Sequence, residues 1–271
     1  MTQKLIALDL DGTTLNNESK LSSKTKRVLT SAVQAGHIVS IVTGRPYRLS
    51  AEIYDDLHLN TPLINFNGSL GHMPHNQNWD LEYQYTIDRG IAFDLMAHHY
   101  EFGINYLAAE GKSLFLAAQD NPIHLGFFPT TLATNQILSQ TTLSEDPTSL
   151  TIALDRDKQP AVIQYLNDHF GDQVDVAPWG GPDSVLEIGA KGIQKATGVE
   201  FIANQYQIDR QNIIAFGDEH NDTAMIDYAG WGVVMQNGTP QLKSIANDIT
   251  EATNEEDGVA NYLTDYLGLA E

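Results

Sequence analysis

Short, predominantly apolar runs alternate along the first part of the chain with segments whose apolar residues recur every three or four positions. Residues 5–8, 38–42 and 63–66 are runs of the first kind, which predict strands buried on both faces, as in a parallel sheet. Between them Val28, Leu29, Ala32 and Val33 form one helical stripe, which Ser22 or Ser23 can cap and Gly36 can close. Leu49, Ile53 and Leu57 form a second stripe, with Pro46 suited to its first turn. From about residue 83 the pattern changes to short strands at 104–108, 113–117, 150–154, 174–177 and 184–188. Helical patterns run there from Asp88 through Ile91, Leu95 and Tyr100 and over 160–170, while 119–143 has little period. Near Gly189 the alternation of apolar runs and helical stripes resumes. Helices are expected over 194–206, through Met225 and Ile226, over 240–246 and over 258–267, with strands at 213–216, 232–235 and 248–249. The pattern predicts an α/β core interrupted by a smaller α+β unit with helices on one side of an antiparallel sheet.

What ends the apolar runs changes the picture, because buried strands do not ordinarily finish in charge. The first run ends in Asp9 and Asp11, the second in Thr43, Gly44 and Arg45, the third in Asn67, and the strand at 213–216 in Asp218 and Asp222. Right-handed crossovers repeat one strand direction, so these endings should meet at one edge of one sheet, where open α/β sheets bind ligands. Asp9 and Asp11 are two residues apart and project from one face if the strand persists to Asp11, with Gly12 permitting a sharp exit. Carboxylates so placed repel unless a hard, oxygen-seeking cation such as Mg²⁺ neutralises them. Taken by itself, the segment 9–13 also reads as a plain acidic turn. Lys191 and Lys195 are the last lysines before the later carboxylates. Carboxylates with a hydroxyl and an ammonium suit phosphoryl transfer; without the cationic side chain they would suit cation binding equally well.

Charge and composition narrow the partners. Asp and Glu number 35 against 15 Lys and Arg in 271 residues, a formal charge of -20, and no basic run is present, so a nucleic-acid backbone is disfavoured. Any anionic substrate must be met by a local reversal of that field, which a metal and a few cations provide. No apolar stretch approaches the roughly 18 residues of a membrane span. The absence of cysteine excludes disulfide and thiolate chemistry, and with no signal-peptide pattern a cytoplasmic protein is expected. No long exposed apolar helix face is evident, which favours a monomer over a homodimer.

Asp9-Leu10-Asp11-Gly12-Thr13 resembles the first signature of the haloacid dehalogenase-like superfamily, and Thr43-Gly44-Arg45 the second. Lys195 resembles the third, and Gly217-Asp218-Glu219-His220-Asn221-Asp222 is similar to the fourth. Their order and spacing, and the ending Asn254-Glu255-Glu256-Asp257-Gly258-Val259-Ala260, resemble Cof-type phosphatases with a type IIB cap. The resemblance implies a Rossmann-like parallel-sheet core over 1–82 and 189–271 and an inserted α+β cap domain of type C2B over 83–188. It implies that Asp9 is the nucleophile, that Asp11 is the acid and base, and that Thr43 and Lys195 contact the transferring group. Mg²⁺ would be held by Asp9, the backbone carbonyl of Asp11, Asp218 and Asp222. Asp222 would be a ligand or an anchor behind the ligands, though it could also cap the following helix. Gly44, Arg45, Asn67 and Asn221 would line the phosphate pocket; Arg45 could equally lie at the surface. Lys195 fits the family register better than Lys191, which is read as a solvent-facing turn residue.

Other polar residues have plainer readings. His72, His75, His98 and His99 lack partners at metal-binding spacing and are expected at the surface or packed against helices, and His220 is incidental. Trp179, beside Gly180, Gly181 and Pro182, is a candidate specificity residue or a packed loop aromatic. The expected activity is Mg²⁺-dependent hydrolysis of a small phosphorylated metabolite, a sugar phosphate first. The alternatives are a phosphorylated cofactor or its precursor as substrate, a phosphomutase, and a non-enzymatic phosphometabolite sensor.

Overall fold

The structure, a computed structural model, describes residues 2–76, 78–120, 126–179 and 183–269. In chain order β1 (Leu5–Leu8), α1 (Ser23–Gln34), β2 (Ile38–Ile41) and α2 (Tyr47–Asp56) precede β3 (Leu63–Asn65), β4 (Leu70–His72) and β5 (Tyr83–Gln84). Then come α3 (Gly90–Ala97), α4 (His99–Phe102), β6 (Ile104–Glu110), β7 (Phe115–Ala117), β8 (Ser149–Leu154), α5 (Gln159–Phe170), β9 (Val174–Pro178) and β10 (Val185–Ala190). The chain finishes with α6 (Lys195–Tyr206), β11 (Ile213–Gly217), α7 (Thr223–Tyr228), β12 (Trp231–Val234), α8 (Pro240–Lys243), β13 (Asp248–Ile249) and α9 (Gly258–Leu267). Two compact units result, one of residues 1–45, 50–83 and 194–271, the other of 46–49 and 84–193.

The first unit is built on a parallel sheet in the order β13-β12-β11-β1-β2. Leu5, Ile6, Ala7 and Leu8 are fully buried, which explains why that run shows no alternation of polar and apolar residues. Each such Leu or Ile contributes roughly 1.5–3 kcal/mol by leaving water. That burial fits β1 in the interior of the sheet, between β11 and β2, with Asp9 just past its end. Val28, Leu29 and Ala32 form the inward stripe of α1, and Ser22 Oγ accepts from the Thr25 N–H at 3.0 Å.

The second unit is an antiparallel sheet in the order β7-β6-β8-β10-β9. Strand alternation separates its two faces. Leu107, Ala109, Leu150, Ile152, Leu186 and Ile188 pack with Ile91, Leu95, Val162 and Leu166 of the helices, whereas Tyr106, Ala108, Ala153 and Val185 meet Phe128 on the other side. The whole is the expected α/β fold, a Rossmann-like parallel core with an inserted α+β unit. Among the described residues no helix is long and apolar enough to cross a membrane.

Four local expectations change. The run at 63–66 joins the parallel sheet through a single bridge, Val42 to Ile64, and otherwise pairs antiparallel with β4. It ends at Asn65 because Phe66, Asn67 and Gly68 turn through positive φ values of 50°, 52° and 107°. β4 was invisible in the pattern: three residues ending in histidine carry too little periodicity. The helix expected through Tyr100 breaks at His98, whose ring Nδ1 lies 2.9 Å from the Asp94 carbonyl. The helix expected over 240–246 ends at Lys243. Gly180, Gly181 and Pro182 lie outside the described residues.

Candidate active site

Beyond β1 the chain does not stay extended. The Leu10 carbonyl accepts from the N–H groups of Thr13, Thr14 and Leu15, and this curl, with Gly12 at φ 73°, parts the first two aspartates. The expectation that Asp9 and Asp11 converge is therefore corrected. Asp9 is buried beside Lys195, while the half-exposed Asp11 carboxylate faces Arg45, with Nε–Oδ2 at 2.7 Å and Nη2–Oδ1 at 2.5 Å. Arg45 is accordingly no simple surface residue; its side chain is 10% exposed.

At the first turn of α6, Lys195 Nζ donates to Asp9 Oδ1 and to Asp222 Oδ1, both at 2.6 Å. Lys191 instead pairs with Asp175 at 2.6 Å in the second unit, half exposed. Asp222 spends its other oxygen on the backbone N–H groups of Asp218 and Glu219, at 2.9 and 3.1 Å. It thereby folds the 218–222 loop back on itself, and it makes no side-chain cap to α7, which removes the helix-cap reading. Asp218 accepts from Thr13 Oγ1 at 3.0 Å, and Thr14 Oγ1 donates to the Asp9 carbonyl at 2.6 Å.

Gly44, Asn67 and Asn221 come together. Asn221 Nδ2 donates to Asn67 Oδ1 at 3.0 Å, and a Cβ on Gly44 would sit 3.1 Å from that same oxygen. Thr43 is buried, with Oγ1 accepting from the Arg45 N–H at 3.1 Å and its carbonyl accepting from the Asn67 N–H at 3.1 Å. Left-handed backbone at Phe66 and Asn67 costs roughly 1–3 kcal/mol for each residue, and these cross-links hold it. Trp179 lies in the second unit, stacked on Phe128 at 6.2 Å and edge-on to Phe127 at 5.7 Å. Of the two histidines expected at the surface or against helices, His72 is fully buried, with Nε2 3.0 Å from Asn65 Oδ1, while His75 is exposed and meets Asp55 at 2.6 Å.

Ligand oxygens of Asp9, Asp218 and Asp222 lie within 4.8 Å of one another. Three carboxylates against the single Lys195 ammonium leave an excess of two negative charges, 3 − 1, which matches one divalent cation. The electrostatics agree. Burial pushes Asp218 up to about 7, with Asp222 adding repulsion, while Thr13 and Lys195 oppose the rise. Burial also lifts Asp9 well above the carboxylate range despite Lys195, and Asp222 and Asp218 lift it further. Burial disfavours the Lys195 ammonium, yet Asp222 and Asp9 outweigh it and keep the lysine protonated. The residues present fit Mg²⁺, a hard cation that takes oxygen ligands.

The match to known proteins follows this geometry. Residues 6–263 match the family described as haloacid dehalogenase-like hydrolase. The chain belongs to the haloacid dehalogenase-like hydrolases. Its carboxylate cluster is the site of a magnesium-dependent phosphoric monoester hydrolase that works through an aspartyl-phosphate. This hydrolase is 38% identical over 266 residues, 98% of each chain, to the 5-amino-6-(5-phospho-D-ribitylamino)uracil phosphatase YitU of Bacillus subtilis. It is 29% identical over 264 residues, 97% of this chain and 96% of the other, to YcsE, a B. subtilis phosphatase of the same name. A haloacid dehalogenase-like hydrolase from Bacteroides thetaiotaomicron has the same fold, with TM-score 0.81, 23% identity and coverage of 98% of this chain and 100% of that one.

Thr13, Thr14 and Asn237, which donates to the Gly12 carbonyl at 2.7 Å, were missed as separate contributors. The two threonines stand inside or beside the first signature, so position was a usable signal. Asn237 lies 225 residues from Gly12, and no local pattern could have indicated it.

Two outcomes follow for metal binding. A Cβ on Gly12 would sit 2.3 Å from Asp218 Oδ2, at a φ that L side chains resist. Gly12→Ala should therefore weaken Mg²⁺ binding by about tenfold or more, as measured by isothermal titration. The second concerns pH. The metal-free fold holds the Asp218 proton more tightly than the unfolded chain does, so that proton's contribution to stability is complete below the ordinary value of 3.8 and is lost as pH rises through about 7. Melting of metal-free protein should show this fall. Mg²⁺ competes with the same proton, so its affinity should climb by up to about tenfold per pH unit towards pH 7 and then level off. A flat titration series across that window would remove Asp218 from the ligand set.

Proposed function

We propose that this hydrolase removes phosphate from a cofactor precursor of the ribitylamino-uracil type, 5-amino-6-(5-phospho-D-ribitylamino)uracil. The observation that carries the reading is the 38% identity to YitU along 98% of both chains. The cofactor-precursor alternative thus stands ahead of the sugar phosphate expected first, because the likeness to solved structures, at 20–25% identity, bears on little beyond the fold. Residues 83–188 are assigned the choice of substrate, with Trp179 and its aromatic neighbours as contributors.

In the proposed reaction an Asp9 carboxylate oxygen attacks phosphorus, the ester P–O bond breaks, and Asp11 gives its proton to the departing ribityl oxygen. Water then attacks the aspartyl-phosphate, Asp11 takes a proton from it, and the P–O bond to Asp9 breaks to release phosphate. Lys195 holds Asp9 Oδ1 and orients the nucleophile, while Thr43, Gly44, Asn67 and Asn221 present donors to the phosphoryl oxygens and Arg45 lines the pocket. Asp222 fixes Lys195 and the Asp218 loop. Mg²⁺ held by Asp9, Asp218 and the Asp11 carbonyl would supply the positive charge that lets an anionic phosphate approach an anionic nucleophile.

Phosphate release should be compared across 5-amino-6-(5-phospho-D-ribitylamino)uracil, pyridoxal phosphate and hexose monophosphates. The expected result is a kcat/KM at least about tenfold higher for the first, the discrimination that roughly 1.4 kcal/mol of differential transition-state binding provides. A hexose phosphate as the best substrate would restore the sugar-phosphate reading. An isomeric product without free phosphate would instead show a mutase.

A further inference from the structure

A second buried polar network of the first unit ends on Arg45. Asn65 at the end of β3, His72 at the end of β4 and Ser50 in α2 have no solvent exposure. Asn65 Nδ2 donates to the Arg45 carbonyl and to Ser50 Oγ, each at 2.8 Å, and Asn65 Oδ1 lies 3.0 Å from His72 Nε2. The Arg45 carbonyl can only accept, so the amide nitrogen must face it and the amide oxygen must face histidine. His72 is thereby required to carry a proton on Nε2 and to donate it.

The effect is to pin the Arg45 main chain from both sides. Its carbonyl also accepts from the Phe66 N–H at 3.3 Å, and its own N–H donates to Thr43 Oγ1 at 3.1 Å. From that fixed point the guanidinium reaches Asp11 through two contacts and Ser19 Oγ at 3.1 Å. Asp11 stands on a curled, half-exposed segment, so the Arg45 fork is what sets the direction of its carboxylate. A hairpin that needed only stability would be served by apolar side chains, without the desolvation of an imidazole and an amide.

We propose that His72 and Asn65 are positioning residues for Asp11, acting through the backbone and guanidinium of Arg45. The inference rests on the reading of Asp11 as proton donor to the leaving group. Proton donation matters for an alkoxide leaving group and little for p-nitrophenolate, so the two substrate types separate positioning from general damage.

The test uses the Mg²⁺-loaded full chain with an alkyl phosphate, ribitol 5-phosphate, beside p-nitrophenyl phosphate. His72→Phe keeps a ring but loses the donor; it should lower kcat/KM on the alkyl phosphate by about tenfold while kcat/KM on p-nitrophenyl phosphate changes by less than about threefold, since kcat/KM ends at formation of the aspartyl-phosphate and leaves out the later step in which Asp11 serves as base for both substrates. His72→Gln, whose amide can donate to Asn65 Oδ1, should recover most of that loss. Equal losses on both substrates, no loss, or no recovery with Gln would overturn the proposal. If His72→Phe does not fold, Asn65→Ala breaks the same link and must show the same leaving-group dependence. Asp11→Asn separates the underlying reading: if it lowers kcat/KM for both substrates alike, Asp11 is not the donor. If Asp11→Asn is selective for leaving group and the His72 variants are not, only the positioning role is lost.

Discussion

Asp9→Asn should lower kcat on the order of 10⁴-fold, the scale seen when a single member of a covalent catalytic unit is removed. Asn is nearly isosteric and can still present an oxygen to Lys195 Nζ, now 2.6 Å from Asp9 Oδ1, so the site keeps its shape. What disappears is the anionic nucleophile and one unit of the negative charge that matches a divalent cation. Stability should move the other way from activity. Burial already pushes the Asp9 carboxylate far above its ordinary range, so the metal-free fold holds that charge at a cost, and removing it should leave the metal-free Tm unchanged or raised. The added protection that Mg²⁺ gives the wild-type protein should shrink. Phosphate release near the wild-type rate, from protein shown by mass to be free of deamidation, would exclude Asp9 as the nucleophile.

Lys195→Ala should do harm of both kinds. It strips the ammonium from Asp9 and Asp222, two carboxylates with side chains 7% and 0% exposed. Breaking a buried ion pair from one side costs about 3–5 kcal/mol, because the remaining charge is left uncompensated. Loss of a positioned cationic donor should lower kcat/KM by about 10²–10³-fold. Lys191→Ala is the internal control. Its pair with Asp175 is half exposed on both sides, and such surface bridges are worth about 0–1 kcal/mol. Thermal melting and kinetics on the two variants give the comparison, and a larger kinetic defect in Lys191→Ala would show that the ammonium belonging to the site has been misassigned. Metal-free protein should show the larger stability loss from Lys195→Ala, since Mg²⁺ replaces part of the missing positive charge.

The alternation of apolar runs and helical stripes was enough to place nearly every element of the parallel core. A run such as Leu5–Leu8 has only one way to bury both faces, and a carboxylate directly after it has only the sheet edge to occupy. The same local logic put Asp9, Thr43, Asn67 and Asp218 at strand ends, since a strand's end is a property of a few neighbouring residues. It also separated the inserted unit by its change of period.

Which of these residues face one another was decided only in three dimensions. Asp11 looked like a partner of Asp9 because strand geometry was extended two residues too far. The Leu10 carbonyl, drawing in three N–H groups, turned it towards Arg45, 34 residues on. Asp222 could be read as a metal ligand, an anchor behind the ligands or a helix cap, and what its oxygens meet was set by Lys195, 27 residues before it, and by two backbone N–H groups of its own loop. His72 read as a histidine at the surface or packed against a helix because a three-residue strand leaves no periodic trace, and its burial against Asn65 depends on the hairpin closing. Local propensity and burial act over a few residues and are written in the order of the chain. Buried charge pairing and amide orientation depend on which distant groups share a low-dielectric space, and that is settled by how the strands and helices pack.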